Sequence, residues 1–201
     1  MNALRELLRR PGIRLLPGVS NAIDARLAER ACFEAVFTTG AGIANATLGV
    51  PDLSLATTTE ISDANRRIAD AIAMPVLANA DTGYGNHLNV ARTVAELERA
   101  GVAGLVIEDQ TSRKRCGHFD DKRVVTARQM VEKITAACAA RRDPDLVLVA
   151  RTDAIAVHGI ADALARATST STPEPTSRSS RRRATSRNSP PSRARCRGPA
   201  S

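Results

Sequence analysis

The segment Ala78–Asn86 reads ANADTGYGN and places Asp81 just past the end of an apolar run, followed by Gly83 and Gly85. Glycines let the backbone turn closely around a ligand. A carboxylate in this position suits a hard cation such as Mg²⁺, which keeps several waters and needs only one or two protein oxygens. A purely structural, capped turn is the competing interpretation of the same residues.

Glu108 and Asp109 stand side by side after a second apolar run. Adjacent carboxylates that emerge from buried chain are costly unless they meet a cation or hydrogen-bond donors. One of them is therefore a candidate for the shell of the same metal. A helix cap or a salt bridge explains the pair equally well from spacing alone.

Residues 114–118 read KRCGH and bring two cations, a thiol, a glycine and an imidazole together. Nearby positive charge lowers the pKa of a thiol, so Cys116 is a candidate proton donor or acceptor, with Lys114, Arg115 and His118 beside it. A basic loop that contains an incidental cysteine is the alternative.

Arg151 follows a third apolar run, Leu146–Ala150. Its planar guanidinium is suited to holding a substrate carboxylate through paired hydrogen bonds. An ion pair with Asp153, two residues further on, is the alternative.

The elements that position these residues alternate between short apolar runs and stretches with apolar residues three and four apart. The predicted strands are Ile13–Leu16, Ala35–Thr38, Val76–Ala80, Gly104–Ile107 and Leu146–Ala150. The predicted helices are Ala22–Ala31, Glu60–Ala73 (with Thr59 as its cap), Asn89–Ala100, Thr126–Arg141 and Ile160–Ala167. This βα order predicts a parallel sheet, either doubly wound or part of an eight-stranded barrel, with the site at the carboxyl ends of the strands.

The composition changes abruptly after Ala167. Residues 168–201 contain no Leu, Ile, Val, Phe or Met, and Ser, Thr, Pro and Arg fill 27 of these 34 positions. Such a segment buries too little apolar surface to offset its chain entropy and is expected to be disordered. The predicted organisation is thus a partial catalytic domain at 1–167 and a tail at 168–201. Because the helix that begins at Ile160 is cut off in mid-pattern, we hypothesise that the tail is a frameshift product, which the nucleotide sequence would test.

Almost all of the formal net charge of +8 lies in this tail, whose eight arginines and one glutamate give +7. The remaining +1 needs no polyanionic partner to explain it. Eight arginines would contact phosphates in a salt-dependent manner, but the tail lacks aromatic residues for base stacking and the body has no recognised nucleic-acid motif. No nucleic-acid partner is expected.

The four cysteines show no paired CxxC spacing, and the N-terminal residues lack the apolar core of a signal peptide. No run of about 18 apolar residues is present, so no membrane contact is expected. A cytoplasmic location follows as the expectation. Cys32 and Cys138 lie among alanines on helical stretches and are predicted to be small core residues.

Six blocks in order, TTGAG, LGVPD, NADTGYGN, IEDQ, KRCGH and ARTDA, resemble the isocitrate lyase / phosphoenolpyruvate mutase superfamily over residues 12–167. The resemblance implies a (β/α)8 TIM barrel, usually a homo-oligomer, that binds a 2-oxoacid or its enolate together with Mg²⁺, or Mn²⁺ in its place. Only about five of the eight strands precede the tail, so an incomplete barrel is expected.

The resemblance also assigns roles to residues. Those implied in substrate binding are Thr39, Gly40, Ala41, Asp52, Gly117 and Arg151. Those implied in metal binding are Asp81, Glu108 and Asn79, the last of which stands where many members have an aspartate and is a weaker, neutral ligand. The implied catalytic acid/base is Cys116, on a mobile loop with Lys114, Arg115 and His118.

The cysteine block implies carbon–carbon bond cleavage, because lyase members carry K-[KR]-C-G-H and phosphonopyruvate-forming mutases lack the cysteine. The expected reaction is the Mg-dependent cleavage of a 2-methylisocitrate-like or 2,3-dimethylmalate-like acid to pyruvate and a second carboxylic acid. A carboxyvinyl-carboxyphosphonate phosphorylmutase-type enzyme is the first alternative. An inactive, truncated family member is the second, since five strands leave unpaired sheet edges.

Overall fold

The computed structural model of the chain describes residues 3–111, 114 and 121–171. The strands are β1 (Gly18–Val19), β2 (Val36–Thr38), β3 (Val76–Asn79), β4 (Gly104–Glu108) and β5 (Val147–Arg151). The helices are α1 (Ala3–Arg9), α2 (Ala22–Arg30), α3 (Gly40–Leu48), α4 (Thr58–Ala71), α5 (His87–Arg99), α6 (Ala127–Ala140), α7 (Ile155–His158) and α8 (Ile160–Thr170).

These strands form one parallel sheet in the order β1-β2-β3-β4-β5. A doubly wound sheet reverses its strand order at a switch point, whereas a barrel wall runs in sequence order. The observed order never reverses, so it settles the choice that composition left open. The expected α/β barrel wall of about five parallel strands is confirmed among the described residues.

The core is deepest at β4, in which every residue is buried. Leu105 and Ile107 pack with Val94 and Leu97 of α5 and with Ile134 of α6. Strand β5, at the edge of the sheet, is only partly buried. The α7–α8 segment beside β5 exposes large apolar side chains, namely Ile155, Ile160 and Leu164, which are 58–64% accessible.

The predicted strand at Ile13–Leu16 is wrong. Ile13 and Leu15 are 89% and 73% exposed, and the first strand consists of Gly18 and Val19, which pair with β2 after Pro17. The apolar run lies outside the sheet and pairs with no strand among the described residues, so apolar composition alone gave a wrong prediction. Helices α1, α3 and α7 were not predicted.

Two local predictions also need correction. Helix α4 is capped by Thr57 rather than Thr59, since the Thr57 hydroxyl accepts from the Glu60 N–H at 3.3 Å and the Glu60 carboxylate accepts from the Thr57 N–H at 2.7 Å. Cys32 is exposed in a left-handed turn (φ 62°), because α2 ends at Arg30 before reaching it. Cys138 packs against the core as predicted.

Helix α8 continues to Thr170, three residues beyond the predicted boundary at Ala167. The hydroxyls of Thr170 and Ser171 donate to helix carbonyls one turn earlier, at 3.0 and 2.8 Å. Residues 172–201 lie outside the described residues, so their disorder and their frameshift origin stay predictions. Among residues 3–111, 114 and 121–171, no helix is both long enough and apolar enough to cross a membrane.

Candidate active site at the carboxyl ends of the strands

Three neighbouring strand ends are held side by side by backbone hydrogen bonds. The Glu108 N–H donates to the Asp81 carbonyl at 2.8 Å, and the Asp109 N–H donates to the Arg151 carbonyl at 3.2 Å. Asp81 and Glu108 are buried, at 6% and 2% exposure. The polar residues that the sequence placed after separate strands therefore converge on one surface, as parallel strands require.

Asp81 is held in a left-handed conformation (φ 49°) that is uncommon for a residue with a side chain. Its N–H donates to the Asn79 side-chain oxygen at 3.0 Å, and the Asn79 N–H donates to the Thr38 hydroxyl at 3.2 Å. The amide of Asn79 thus supports the turn that presents Asp81. A cavity of about 340 Å³ opens beside Asp81, with Tyr84 in its lining.

The start of helix α3 packs against this turn. A Cβ at Gly40 would lie 3.1 Å from the Asp81 Oδ1 and 3.2 Å from the Asn79 Nδ2, so only glycine allows this approach without a shift. Thr39 caps the helix by accepting from the Gly42 N–H at 3.2 Å. The N–H groups of Gly40 and Ala41 belong to the first helical turn, and such groups bind carboxylates and other anions.

Lys114 is buried and joins two acidic residues. Its Nζ lies 2.9 Å from the Asp52 Oδ1 and 2.5 Å from the Asp81 Oδ1. Burial by itself lowers the pKa of Lys114, but the negative charges and hydrogen bonds of Asp81 and Asp52 outweigh it and raise the pKa overall. Lys114 is therefore an ammonium ion. The other predicted residues of this loop, Arg115, Cys116, Gly117 and His118, lie outside the described residues.

Glu108 is a carboxylate with incomplete partners. Arg151 lies 3.3 Å from its Oε2, while its Oε1 is buried without a hydrogen-bond partner in the described part of the chain. Burial raises the pKa of Glu108 from 4.5 to about 7, with Lys114 and Arg151 opposing the rise and Asp81 adding to it. Burial likewise raises the pKa of Asp81, against the effect of Lys114.

These two carboxylates fit a hard cation. Among the described residues no three His, Cys, Asp or Glu side chains are grouped as metal ligands. Mg²⁺, however, is usually bound through one or two carboxylates and keeps several waters. The unpartnered Glu108 Oε1 beside Asp81 is the kind of buried oxygen that a cation would satisfy.

Arg151 forms an ion pair with Asp153, which the sequence offered as the alternative to substrate binding. Its guanidinium bonds to the Asp153 carboxylate at 2.9 to 3.2 Å and also contacts Glu108. The side chain nevertheless remains 38% exposed. Because a guanidinium has five N–H donors, the group can hold Asp153 and still donate hydrogen bonds to a substrate carboxylate.

Asp109 turns away from the candidate metal site into a structural network. It is completely buried and accepts hydrogen bonds from the Thr152 hydroxyl at 2.7 Å, the Asp153 N–H at 2.9 Å and the Arg166 Nη1 at 3.3 Å. The salt-bridge interpretation of the adjacent carboxylates therefore applies to Asp109, and the metal interpretation is left to Glu108.

Sequence reasoning missed three polar residues around the site: the partly buried Tyr84 and the buried Lys133 and Arg166. The Tyr84 hydroxyl is buried and burial raises its pKa well above its ordinary value. The Lys133 Nζ donates to the Thr82 carbonyl at 2.8 Å, and burial lowers its pKa. Arg166 follows the buried Ala163 by three positions on α8, a spacing that places it on the same helix face and was a usable signal.

Fold and site together define a parallel α/β barrel protein with an acidic site at its strand ends. The family profile described as Phosphoenolpyruvate phosphomutase matches residues 4–170, and the chain belongs to that family. The resemblance inferred from the six sequence blocks is thereby confirmed.

Individual proteins that resemble this chain belong to the same superfamily. The chain is 50% identical over 165 residues to "Probable 2-methylisocitrate lyase 1" of Corynebacterium glutamicum, covering 82% of this chain and 54% of that protein. The crystal structure of 2,3-dimethylmalate lyase, a PEP mutase/isocitrate lyase superfamily member, superposes with a TM-score of 0.79 at 39% identity, covering 83% of this chain and 57% of the other. Phosphonopyruvate hydrolase in complex with oxalate and Mg²⁺ gives 0.74 at 32% identity, with coverages of 84% and 58%. The chain thus spans about half the length of the curated relatives it matches.

Proposed function

We propose that this chain carries the site of a Mg²⁺-dependent lyase that cleaves a 2-methylisocitrate-like or 2,3-dimethylmalate-like acid into pyruvate and a second carboxylic acid. The observation that carries the proposal is the convergence of Asp81, Glu108 and Arg151, with the Glu108 Oε1 buried and unpartnered among the described residues. The names of the relatives support this substrate class.

Asp81 and Glu108 would hold the cation, with the Asn79 amide as a weaker neighbour. A bound Mg²⁺ supplies Lewis-acid stabilisation of negative charge on substrate oxygens. Mn²⁺ would suit the same hard oxygen ligands. The crystal structure of phosphonopyruvate hydrolase, a relative in complex with oxalate and Mg²⁺, supports this choice of metal.

Substrate binding falls to the groups that face the carboxylates. The exposed part of the Arg151 guanidinium would grip a substrate carboxylate, and the N–H groups of Gly40 and Ala41, with the Thr39 hydroxyl, would bind the same or a second carboxylate. Asp52 and Gly117 would complete the pocket. The substrate hydroxyl would first lose its proton to solvent, and Arg151 would stabilise the resulting alkoxide. As the carbon–carbon bond breaks, this oxygen becomes the 2-oxo group of pyruvate.

The departing carbon receives the bonding electrons and needs a proton. Cys116 would donate that proton from its thiol, with Arg115 and His118 flanking it. The described residue of this loop, Lys114, is anchored on Asp52 and Asp81. Closure of the loop over the substrate would exclude water from the carbanion-like fragment.

The inactive family member is a second candidate, favoured by the exposed apolar side chains beside β5. It predicts cation binding without turnover. The phosphorylmutase-type enzyme predicts a rearranged phosphorus-containing product in place of pyruvate. A cytoplasmic location and a homo-oligomeric assembly belong to the same proposal.

The test is pyruvate release from 2-methylisocitrate and from 2,3-dimethylmalate, measured by coupling to lactate dehydrogenase with and without Mg²⁺. Mg²⁺-dependent release that is lost in Cys116→Ser supports the lyase. The matched control is Cys32→Ser, because Cys32 is exposed and lies outside the site. Unchanged release by Cys116→Ser would remove the assigned role of Cys116. An absence of pyruvate in a chain that binds Mg²⁺ would favour the inactive member.

A further inference from the structure

Arg166 is a buried cation that no step of the proposed mechanism uses. It is 7% exposed, on the last described helix. Its Nη1 donates to the Val125 carbonyl at 2.6 Å and lies 3.3 Å from the Asp109 Oδ2, and its Nε donates to the Asp162 carboxylate at 2.6 Å. It therefore ties α8 to the end of β4 and to the segment that precedes α6.

Asp109, the partner of Arg166, contacts the last residue of β5 and the two residues that follow it. Its N–H donates to the Arg151 carbonyl at 3.2 Å. Its two carboxylate oxygens accept from the Thr152 hydroxyl at 2.7 Å and from the Asp153 N–H at 2.9 Å. With its backbone and side chain both engaged, Asp109 fixes the path of residues 151–153.

Asp153 orients the Arg151 guanidinium. The Asp153 carboxylate accepts from the Arg151 Nε at 3.1 Å and from the Arg151 Nη2 at 2.9 Å. Gln110 donates to the other Asp153 oxygen at 2.6 Å and limits the rotation of that carboxylate. The plane of the guanidinium is thus set by Asp153, whose backbone is set by Asp109.

We propose that Arg166 is a positioning residue, which acts through Asp109 and Asp153 to aim Arg151 at the substrate carboxylate; the proposal rests on the function proposed above for Arg151. Arg166 supplies the only cation that contacts the Asp109 carboxylate among the described residues. A buried carboxylate that loses its cationic partner is strongly disfavoured and is expected to move. This movement releases the Thr152–Asp153 turn.

The test separates the orientation of Arg151 from the stability of the fold. Its probe is oxalate, a planar dicarboxylate. We would measure three quantities for each protein: the affinity for oxalate in saturating Mg²⁺, the affinity for Mg²⁺ alone, and the thermal midpoint. The proteins are the wild type, Arg166→Met, Arg166→Lys and Arg151→Gln. Arg141→Met is the matched control, because the Arg141 Nη1 donates to the Leu146 carbonyl at the opposite end of β5. It reports what a lost arginine costs in stability away from the site.

We expect Arg166→Met to weaken oxalate binding about tenfold, since small misplacements of a binding group cost one to two orders of magnitude. Mg²⁺ affinity stays near the wild-type value, and Arg166→Lys, which keeps a cation, recovers part of the loss. Arg141→Met lowers the thermal midpoint without changing oxalate affinity.

Wild-type oxalate affinity in Arg166→Met, or an equal loss in Arg141→Met, would overturn the proposal. If Arg166→Met does not fold, Arg166→Lys decides the question by itself: an affinity between those of the wild type and Arg151→Gln supports the proposal, and the wild-type value overturns it. Wild-type oxalate binding by Arg151→Gln would instead overturn the role of Arg151 in the proposed function.

Discussion

The two carboxylates at the end of β4 are neighbours in sequence and have opposite surroundings. Glu108 faces Asp81 and Arg151 and keeps one buried oxygen without a partner among the described residues. Asp109 faces α8 and accepts from three donors. An unsatisfied buried group costs stability and is retained where a ligand will satisfy it, whereas a satisfied group fixes geometry. The Glu108 carboxylate therefore fits the proposed metal site, whereas the Asp109 carboxylate holds the residues after β5 in place.

The largest expected effect on stability is at Asp109, which holds residues 152–153 in place. Asp109→Ala removes the partner of Arg166 and the clamp on residues 152–153, and we expect a loss of about 3–5 kcal/mol in the free energy of unfolding. Glu108→Gln is the matched comparison and should cost far less, because it removes a buried charge that is incompletely paired. Denaturant unfolding of both variants measures the difference. Equal losses in the two variants would show that Asp109 contributes no more to stability than Glu108 does.

The second effect is a pH dependence that arises from Glu108. Its pKa is raised from 4.5 in the unfolded chain to about 7 in the fold. Between these values the folded state holds more protons than the unfolded state, so stability falls as the pH rises from about 4.5 to about 7 and is level above. The shift corresponds to a loss on the order of 3 kcal/mol.

Metal-free wild type and Glu108→Gln, unfolded in denaturant at several pH values, should therefore differ in slope across this window. Parallel profiles for the two proteins would show that Glu108 does not titrate in this range.

A smaller effect is expected at Lys114. Lys114→Met leaves Asp52 and Asp81 without the ammonium that joins them, which we expect to lower the free energy of unfolding by about 2 kcal/mol. Mg²⁺ should restore more stability to this variant than to the wild type, because a cation at Asp81 replaces the lost charge. Thermal midpoints with and without Mg²⁺ measure this. An identical Mg²⁺ effect in both proteins would mean that Asp81 does not bind the metal.

The smallest effect on stability is expected at Gly40. Alanine favours the helix by up to about 1 kcal/mol, but its Cβ would lie 3.1 Å from the Asp81 Oδ1. Gly40→Ala should therefore leave the free energy of unfolding within about 1 kcal/mol of wild type while weakening Mg²⁺ binding. Calorimetric titration of the folded variant measures the affinity. Unchanged Mg²⁺ affinity would contradict the assignment of Asp81 as a metal ligand.

The sequence predicted β2 to β5 to within one or two residues, because buried parallel strands read as continuous apolar runs. Helix α3 was missed because its Gly- and Ala-rich sequence has no apolar periodicity. The false strand at Ile13–Leu16 shows the converse error, since its apolar residues Ile13 and Leu15 are exposed. Strands β2 to β5 were predictable from their apolar runs, although β5 is only partly buried, and helix α3 was not.

The candidate site was predictable to a similar degree. Asp81, Glu108 and Arg151 follow strands, and parallel strands bring such residues together. The choice between Glu108 and Asp109 could not be made from spacing, because alternation sends neighbours to opposite faces without saying which face lines the site. Only the family resemblance favoured Glu108. The contact of Arg166 with Asp109 depends on how α8 packs, which spacing along one helix does not determine.

The most direct test of the account is a calorimetric titration of Mg²⁺ into the wild-type chain, Asp81→Asn and Asp109→Asn at a pH above 7, where Glu108 is ionised. We predict saturable binding to the wild type, at least about tenfold weaker binding to Asp81→Asn, and near-wild-type binding to folded Asp109→Asn. The absence of saturable binding in the wild type, or equal affinity in Asp81→Asn, would contradict the assignment of this strand-end surface as the metal site of a lyase.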